Sequence, residues 1–353
     1  MSKEINFKGR VINKEASILE AMKLMDQIDH KLLIITDENL FLGLLSAGDI
    51  QRAIISDKPL STPVADIMRS NIRVASPKDS LEDIKVLMLK FRMELCPVLD
   101  GEHNILNIYF WEELFEEEKP HPKSYFDLPV VVMAGGFGTR MKPLTNVLPK
   151  PLIPVGDTTI LEQIFKRFYK HGSSRFYLSV NYKADLIEYY IKNQNLPYQI
   201  SYFKEEKPMG TAGSMSLLKG KINETFFVSN CDIIVDQDYS EILDYHRSHK
   251  NEITIVAAMK NYPIPYGTIE TTKKGKLVKL SEKPELTFKI NSGMYILEPH
   301  LLDEIPDDTF FHITHLIEKV KDRDGSIGVF PISEKSWKDI GNLEEYYKTI
   351  SFP

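Results

Sequence analysis

Apolar residues recur at helical spacing from Ile18 to Met25, and the same arrangement returns about 63 residues on, from Leu81 to Met88. A serine precedes each stretch, Ser17 or Ser80, and an acidic residue follows it three positions later, Glu20 or Asp83. That is how a capped helix begins, with side chains meeting backbone N–H groups that have no partner inside the helix. Each helix leads into a short apolar run (Leu32 to Ile35, Cys96 to Leu99) and then a polar turn (Asp37-Glu38-Asn39, Asp100-Gly101-Glu102). A second apolar run closes the repeat, Leu42 to Leu45 or Ile105 to Ile108. The pattern predicts helix, strand, turn, strand, helix, twice over: an α+β module at residues 1–118 whose repeats fall at about 8–60 and 64–118.

From Val130 the pattern changes. Short β-rich runs (Val130 to Met133, Phe176 to Val180, Tyr198 to Phe203) alternate with helical ones (Ile160 to His171, Ala184 to Lys192, and later His312 to Lys321). Alternation of that kind predicts an α/β domain over 129–353, built on a sheet of mostly parallel strands. Between the two regions stand the acidic run Glu116-Glu117-Glu118 and three prolines, Pro120, Pro122 and Pro129, which predict a linker at 119–128.

The chemistry concentrates where the first of these strands ends. Val130 to Val155 reads VVVMAGGFGTRMKPLTNVLPKPLIPV, a buried strand feeding Ala134, Gly135, Gly136, Gly138 and Thr139. Three glycines in four positions let the backbone approach a ligand closely and aim N–H groups at an anion. It is neither of the common phosphate loops. A Walker loop ends in Gly-Lys-Ser/Thr, whereas this one ends Gly138-Thr139-Arg140, and a Rossmann fingerprint needs a glycine where Met141 stands. Arg140 follows at once and Lys150 after a proline-stiffened segment, two cations suited to neutralising a triphosphate as it reacts. A further apolar strand, Phe226 to Ser229, runs into Asp232, putting a carboxylate where a hard divalent cation can be held.

Composition narrows the function classes. The 353 residues are 42% hydrophobic and 27% charged, enough for about two ordinary domains with sizeable cores. A formal net charge of -6 argues against a nucleic-acid binder held by a basic face. Two cysteines, Cys96 and Cys231, give no disulfide framework and no cysteine zinc site. His312 and His315 lack further ligands at metal spacing. The first residues carry no apolar core of signal-peptide length, and no run approaches the ~18 apolar residues of a membrane span, so a cytoplasmic protein with no membrane partner is expected.

The string AGGFGTRMKPLTNVLPKPLIPV resembles the signature of the sugar-1-phosphate nucleotidylyltransferases, with Met133 and Met141 where leucine is usual and Thr159 where proline is common. The resemblance runs to about Tyr347 and implies a Rossmann-like nucleotidyltransferase fold. It implies that Glu205, Gly210 and Thr211, in Glu205-Glu206-Lys207-Pro208-Met209-Gly210-Thr211-Ala212-Gly213-Ser214, contact the nucleobase, with Thr211 capping a helix or bonding a base edge. It implies Mg2+ on Asp232 and on Asp339 of Trp337-Lys338-Asp339-Ile340-Gly341, although Asn342 and Leu343 replace the usual Thr-Pro. Glu282, Asn291 and Gly293 would line the sugar side, with Lys283 on the sugar phosphate.

The implied reaction joins a nucleoside triphosphate to a sugar-1-phosphate and releases pyrophosphate. The repeats of residues 1–118 resemble a CBS pair, which implies an adenine nucleotide as regulator. In the first repeat Gly43-Leu44-Leu45-Ser46-Ala47-Gly48-Asp49 matches the family's glycine, hydroxyl and carboxylate pattern; Asn107, Phe110 and Glu113 stand at those places in the second, which has lost it. Ser46 and Asp49 read equally as a helix cap and a first-turn carboxylate. The combination resembles guanylyltransferases acting on glucosamine-1-phosphate, favouring GTP with that sugar or mannose-1-phosphate, and UTP, CTP and dTTP stay open. The alternative from another class is a nucleotide-binding regulatory subunit without turnover. CBS pairs commonly dimerise, so a homo-oligomer is expected.

Overall fold

The computed structural model describes residues 7–38, 40–91, 93–115, 124–205 and 207–351. Asn39 of the first turn, Glu206, the acidic run Glu116 to Glu118, and Pro120 and Pro122 lie outside the described residues. The chain forms two compact units that divide between His121 and Pro122.

In the first unit the elements are β1 (Val11–Asn13), α1 (Ile18–Ile28), β2 (Leu32–Asp37), β3 (Leu40–Ser46), α2 (Ala47–Ile55), α3 (Leu81–Phe91), β4 (Leu95–Leu99), β5 (Ile105–Phe110) and α4 (Trp111–Leu114). Helix α1 buries Ile18, Ala21, Met22 and Met25, and Ser17 and Glu20 close a reciprocal capping box at its start. Ser80 and Asp83 make the same bonds before α3. The repeat extends to the backbone. Ile12 runs parallel beside Ile35, and Ala75 beside Val98, 63 positions on in both cases. Each repeat then adds an antiparallel pair, β2 with β3 and β4 with β5. Leu32, Ile34, Phe41 and Leu44 of one repeat pack against Leu95, Leu99, Ile108 and Phe110 of the other, so each repeat supplies half of a shared core.

The second unit opens with β6 (Val130–Met133), α5 (Leu144–Val147), β7 (Pro154–Val155), β8 (Thr158–Thr159), α6 (Ile160–Lys170), β9 (Arg175–Val180), α7 (Ala184–Lys192) and β10 (Gln199–Lys204). It continues through β11 (Phe226–Asn230), β12 (Ile233–Val235), α8 (Tyr239–Ser248), β13 (Ile253–Pro263), β14 (Thr268–Thr271) and β15 (Leu277–Ser281). It ends with β16 (Glu285–Leu297), α9 (Ile313–Asp322), β17 (Ile327–Ser333), β18 (Trp337–Asp339) and α10 (Leu343–Ser351). Seven strands form one sheet in the order β10-β9-β6-β11-β16-β13-β17, in which β16 alone runs against the rest.

Strand alternation gives each face its own core. On β11, Phe226 joins Val131, Leu297, Leu316 and Val320 on one side. Phe227 enters an aromatic cluster on the other, 5.2 Å from Phe168, which lies 4.7 Å from Tyr239. Phe126 and Leu128, which composition assigned to the linker, are buried; Phe126 stacks on Phe227 at 5.3 Å, and its N–H donates to the His171 carbonyl. Among the described residues no helix is long and apolar enough to cross a membrane.

At one end of the sheet, Arg323 follows α9 and grips Glu252, just before β13, with two guanidinium nitrogens, and also bonds Glu304. Its guanidinium, with His300 at 2.8 Å and the Ser326 N–H, holds the Glu252 carboxyl at about 2, well below the usual carboxylate range. A depressed carboxyl contributes stability that is present above its unfolded value and is lost as pH falls through the folded one. Urea midpoints of the wild-type chain are therefore expected to drop between about pH 4.5 and about 2. Glu252→Gln should be less stable at neutral pH and show a flatter decline over that window. An unchanged pH slope would remove this network as its source.

Candidate active site

Strands β6 and β11 are parallel neighbours with Met133 beside Asn230, so the glycine loop and Cys231-Asp232 leave the sheet side by side at its carboxyl edge. The loop is anchored there: the Ala134 N–H donates to Ser179, and the Cys231 N–H donates to Met133. A Cβ at Gly135 would stand 2.8 Å from the Glu205 carboxylate, so a buried acid lies directly beneath the loop. Gly138 turns with φ +63 beside the Thr145 side chain, whose hydroxyl donates to the Gly138 carbonyl at 2.9 Å. Gly136 is exposed, and Met141, where a Rossmann fingerprint needs glycine, is fully buried.

Asp232 and Asp339 are 107 positions apart in sequence. The antiparallel pair β12 and β18 sets Ile233 opposite Asp339, and the Ile340 N–H donates to the Asp232 carbonyl at 2.7 Å. The two carboxylates are thereby neighbours. Lys150, 8% exposed, reaches Asp232 Oδ2 at 2.6 Å and the Gly341 carbonyl at 3.4 Å. Asp339 accepts from the Gly341 N–H at 2.7 Å. Burial, and then the like charge of Asp232, raise the Asp339 carboxyl above its ordinary value, while Lys150 and Arg140 pull it down. A pair of oxygen donors held this close, with one of them made reluctant to ionise, fits a hard divalent cation such as Mg2+.

Glu205 and Thr211 serve the fold more directly than the motif suggests. The Ser179 hydroxyl donates to Glu205 Oε1 at 2.5 Å and the Met209 N–H to Oε2 at 3.2 Å, so this buried carboxylate braces its own loop. The expected cap by Thr211 on the helix that follows it is replaced by another. The short 3-10 helix Gly213–Leu218 starts after Ala212, and the Thr211 hydroxyl instead accepts from Ile313 N–H at 3.0 Å, capping α9. That oxygen also lies 3.3 Å from His312 Nδ1, to which the Thr211 N–H donates at 3.5 Å.

Near Asn291 and Gly293, expected to line a sugar, β16 bulges. Ile255 faces Tyr295 but Ala257 faces Asn291, and the extra residues carry Gly293 at φ +86. A Cβ there would stand 2.6 Å from the Asn230 amide, so glycine is required where β16 passes the end of β11. Asn291 accepts from the Gly293 N–H, and Trp337 Nε1 donates to Ser292, tying the bulge to the strand that carries Asp339. Glu282 and Lys283 stand exposed beyond β15. Among the described residues neither forms a hydrogen bond or ion pair with the glycine loop, Asp232 or Asp339.

Asn181-Tyr182-Lys183, between β9 and α7, belongs to none of the sequence motifs and yet braces the glycine loop. Lys183 donates to three carbonyls of the segment after the glycine loop: Thr145 at 3.3 Å, Asn146 at 2.7 Å and Val147 at 2.8 Å. Tyr182 packs against Phe137 of the loop, and Asn181 donates to the Glu205 carbonyl. Its only trace in the sequence is a polar triplet at a strand-to-helix turn.

In the first unit Ser46 and Asp49 close a capping box on α2. Asp49 is buried and its oxygens go to Ser46, Arg52 and Arg69, so the pair is committed to the helix start rather than free for a ribose. Beside it lies a cavity of about 230 Å³ lined by Ser46, Arg69, Asn71, Arg73, Phe91 and Glu94 among others.

The nucleotidyl transferase family matches residues 129–352, and the CBS domain family matches residues 1–56 and 64–117. The mannose-1-phosphate guanylyltransferase catalytic subunit beta of Dictyostelium discoideum is 36% identical over 185 residues, 50% of this chain and 52% of that protein. The mannose-1-phosphate guanylyltransferase of Mycobacterium tuberculosis is 30% identical over 223 residues, 62% of each. The chain thus spans between about half and three fifths of the length of these relatives. Among solved structures, HddC from Yersinia pseudotuberculosis superposes with a TM-score of 0.50 at 27% identity, over 64% of this chain and 98% of that one. A second crystal structure of HddC, complexed with GMP-PN, gives 0.50 at 26% over the same shares. A match that runs unbroken from the strand before the glycine loop to the helix beyond Asp339 makes this chain a member of the nucleotidyl transferase family.

Proposed function

We propose that the chain is a sugar-1-phosphate nucleotidylyltransferase that favours GTP, with mannose-1-phosphate or glucosamine-1-phosphate as acceptor. The observation that carries it is the meeting of Asp232, Asp339, Lys150 and Arg140 beside a glycine loop at the carboxyl edge of a parallel sheet. A sugar-phosphate oxygen attacks the α-phosphorus, the bond to the bridging oxygen breaks, and pyrophosphate leaves with that electron pair. Such chemistry needs position and charge neutralisation, and no covalent enzyme intermediate. Loop N–H groups hold the triphosphate, Arg140 stabilises the leaving pyrophosphate and Lys150 turns from Asp232 to the α-phosphate. Lys283 binds the sugar phosphate. Asp232 and Asp339 would hold Mg2+, which supplies charge neutralisation across the phosphates. The guanylyltransferase relatives and the GMP-PN complex of HddC support guanine.

Glu205, Gly210 and Thr211 frame the base, and Glu282, Asn291 and Gly293 the sugar. The cavity of the first unit takes an adenine nucleotide, its phosphate facing Arg69 and Arg73; the Arg73 guanidinium stacks 3.7 Å over Phe91.

A pyrophosphate-release assay over four triphosphates and both sugar phosphates is expected to give its highest kcat/KM with GTP. Asp232→Asn should lower turnover at least about 100-fold without changing the unfolding midpoint. Turnover within twofold of wild type would end this reading, and no release with any substrate pair would favour the regulatory-subunit alternative. Lys183→Met should raise KM for the triphosphate about tenfold with little change in kcat, and Lys183→Arg should restore it; equal losses in both variants, or a loss in kcat alone, would count against loop positioning. Calorimetry on the full chain should detect AMP or ATP binding that Arg73→Ala weakens at least about tenfold, and no heat with either nucleotide would remove the regulatory assignment.

A further inference from the structure

Arg69 and Arg73 make one part of the first unit's cavity positive, and Ser46 and Asn71 add neutral polar groups. Among the described residues Glu94 is the one carboxylate that lines it. Glu94 stands between α3 and β4, where the Trp111 N–H fixes its backbone by donating to its carbonyl at 2.9 Å. Its side chain is exposed, and among the described residues it forms no hydrogen bond or ion pair.

The carboxylate expected to hold a ribose, Asp49, is in the opposite condition. Its Oδ2 accepts from the Ser46 N–H at 2.7 Å, the Ser46 hydroxyl at 2.6 Å and Arg69 Nε at 3.0 Å, and its Oδ1 accepts from Arg52. An ionised carboxylate has about four acceptor positions, and four donors already meet this buried one. A ribose could reach it only by displacing the cap of α2 or an arginine.

The internal repeat supplies a comparison within the same unit. At 63 positions before Arg73 and Glu94 stand Arg10 and Lys31. Arg10 lies 4.2 Å over the ring of Phe110, the residue in the place of Ser46, and its guanidinium is bonded to His30 Nε2 at 2.8 Å and to Glu112. Arg73 rests 3.7 Å over Phe91 and, among the described residues, has no ion pair. One half of the module therefore keeps a guanidinium and a carboxylate available beside a cavity. The other has satisfied its arginine internally and carries a cation where that carboxylate would be.

A ligand that meets both groups joins an anion to adjacent hydrogen-bond donors. A nucleoside phosphate does so through its phosphate and its ribose 2′- and 3′-hydroxyls, which a carboxylate accepts as a pair. We propose, resting on the adenine-nucleotide reading above, that Glu94 in place of Asp49 binds the ribose in this cavity.

The test is calorimetry on the full chain with AMP, or with ATP where AMP gives no heat, each beside its 2′-deoxy form. The wild-type chain is expected to bind the 2′-deoxy form at least about tenfold more weakly. Glu94→Ala, with circular dichroism unchanged, is expected to bind both forms about equally, because the missing hydroxyl and the missing carboxylate are two halves of one contact. Should that variant not fold, Glu94→Gln, which keeps the size and one acceptor oxygen, is expected to retain only part of the preference. Equal affinity of the wild-type chain for the two forms would overturn the assignment. So would a folded Glu94→Ala, or in its place Glu94→Gln, that keeps the full preference; the adenine-nucleotide reading would survive either result. No heat with AMP or ATP would remove that reading, and the ribose contact with it.

Discussion

The second unit is arranged around an electrostatic problem, two carboxylates held side by side at the edge of a sheet. Like charges brought together repel, the more strongly the less water lies between them. Burial of Asp339 sharpens the conflict, which shows in its raised carboxyl. The fold meets it with two cations from the segment between β6 and β7. Lys150 is inserted against Asp232, and Arg140 bears on Asp339. Carboxylates set side by side in this way are where a hard cation would relieve the repulsion.

The backbone around this cluster is fixed by contacts that contribute no chemistry themselves. Lys183 ties three carbonyls of the segment after the glycine loop, Ser179 holds Glu205 beneath it, and Trp337 links the β16 bulge to the strand of Asp339. Reactive groups need placing to within a fraction of an ångström, and these contacts supply that placement from elements far apart in sequence.

The first unit answers a different constraint. One repeat of about 60 residues cannot bury both sides of its strands, so the two repeats share a core, and the cavity by Ser46 and Arg69 lies where they meet. Its internal symmetry stops at chemistry. The Ser46 hydroxyl has no counterpart at Phe110, and the longer Glu113 stands in the place of Asp49.

Local sequence was enough wherever the determinant is local. Ser17 with Glu20 and Ser80 with Asp83 announce helix starts that form as read, and Ala184–Lys192 is a helix at the bounds its periodicity predicts. The alternation of strands and helices after Val130 implied a mostly parallel sheet, because hydrophobic period follows directly from backbone geometry. Tertiary structure decided the rest. That Thr211 caps α9 and not its own following helix, that Arg69 joins Asp49, and that Lys183 clamps the loop are all pairings across 20 residues or more. So is the meeting of Asp232 with Asp339, which family resemblance could suggest but no spacing could give. A side chain's partner in such a pair is set by which strands lie adjacent in the sheet, and strand order is a property of the whole packed core rather than of any stretch of chain.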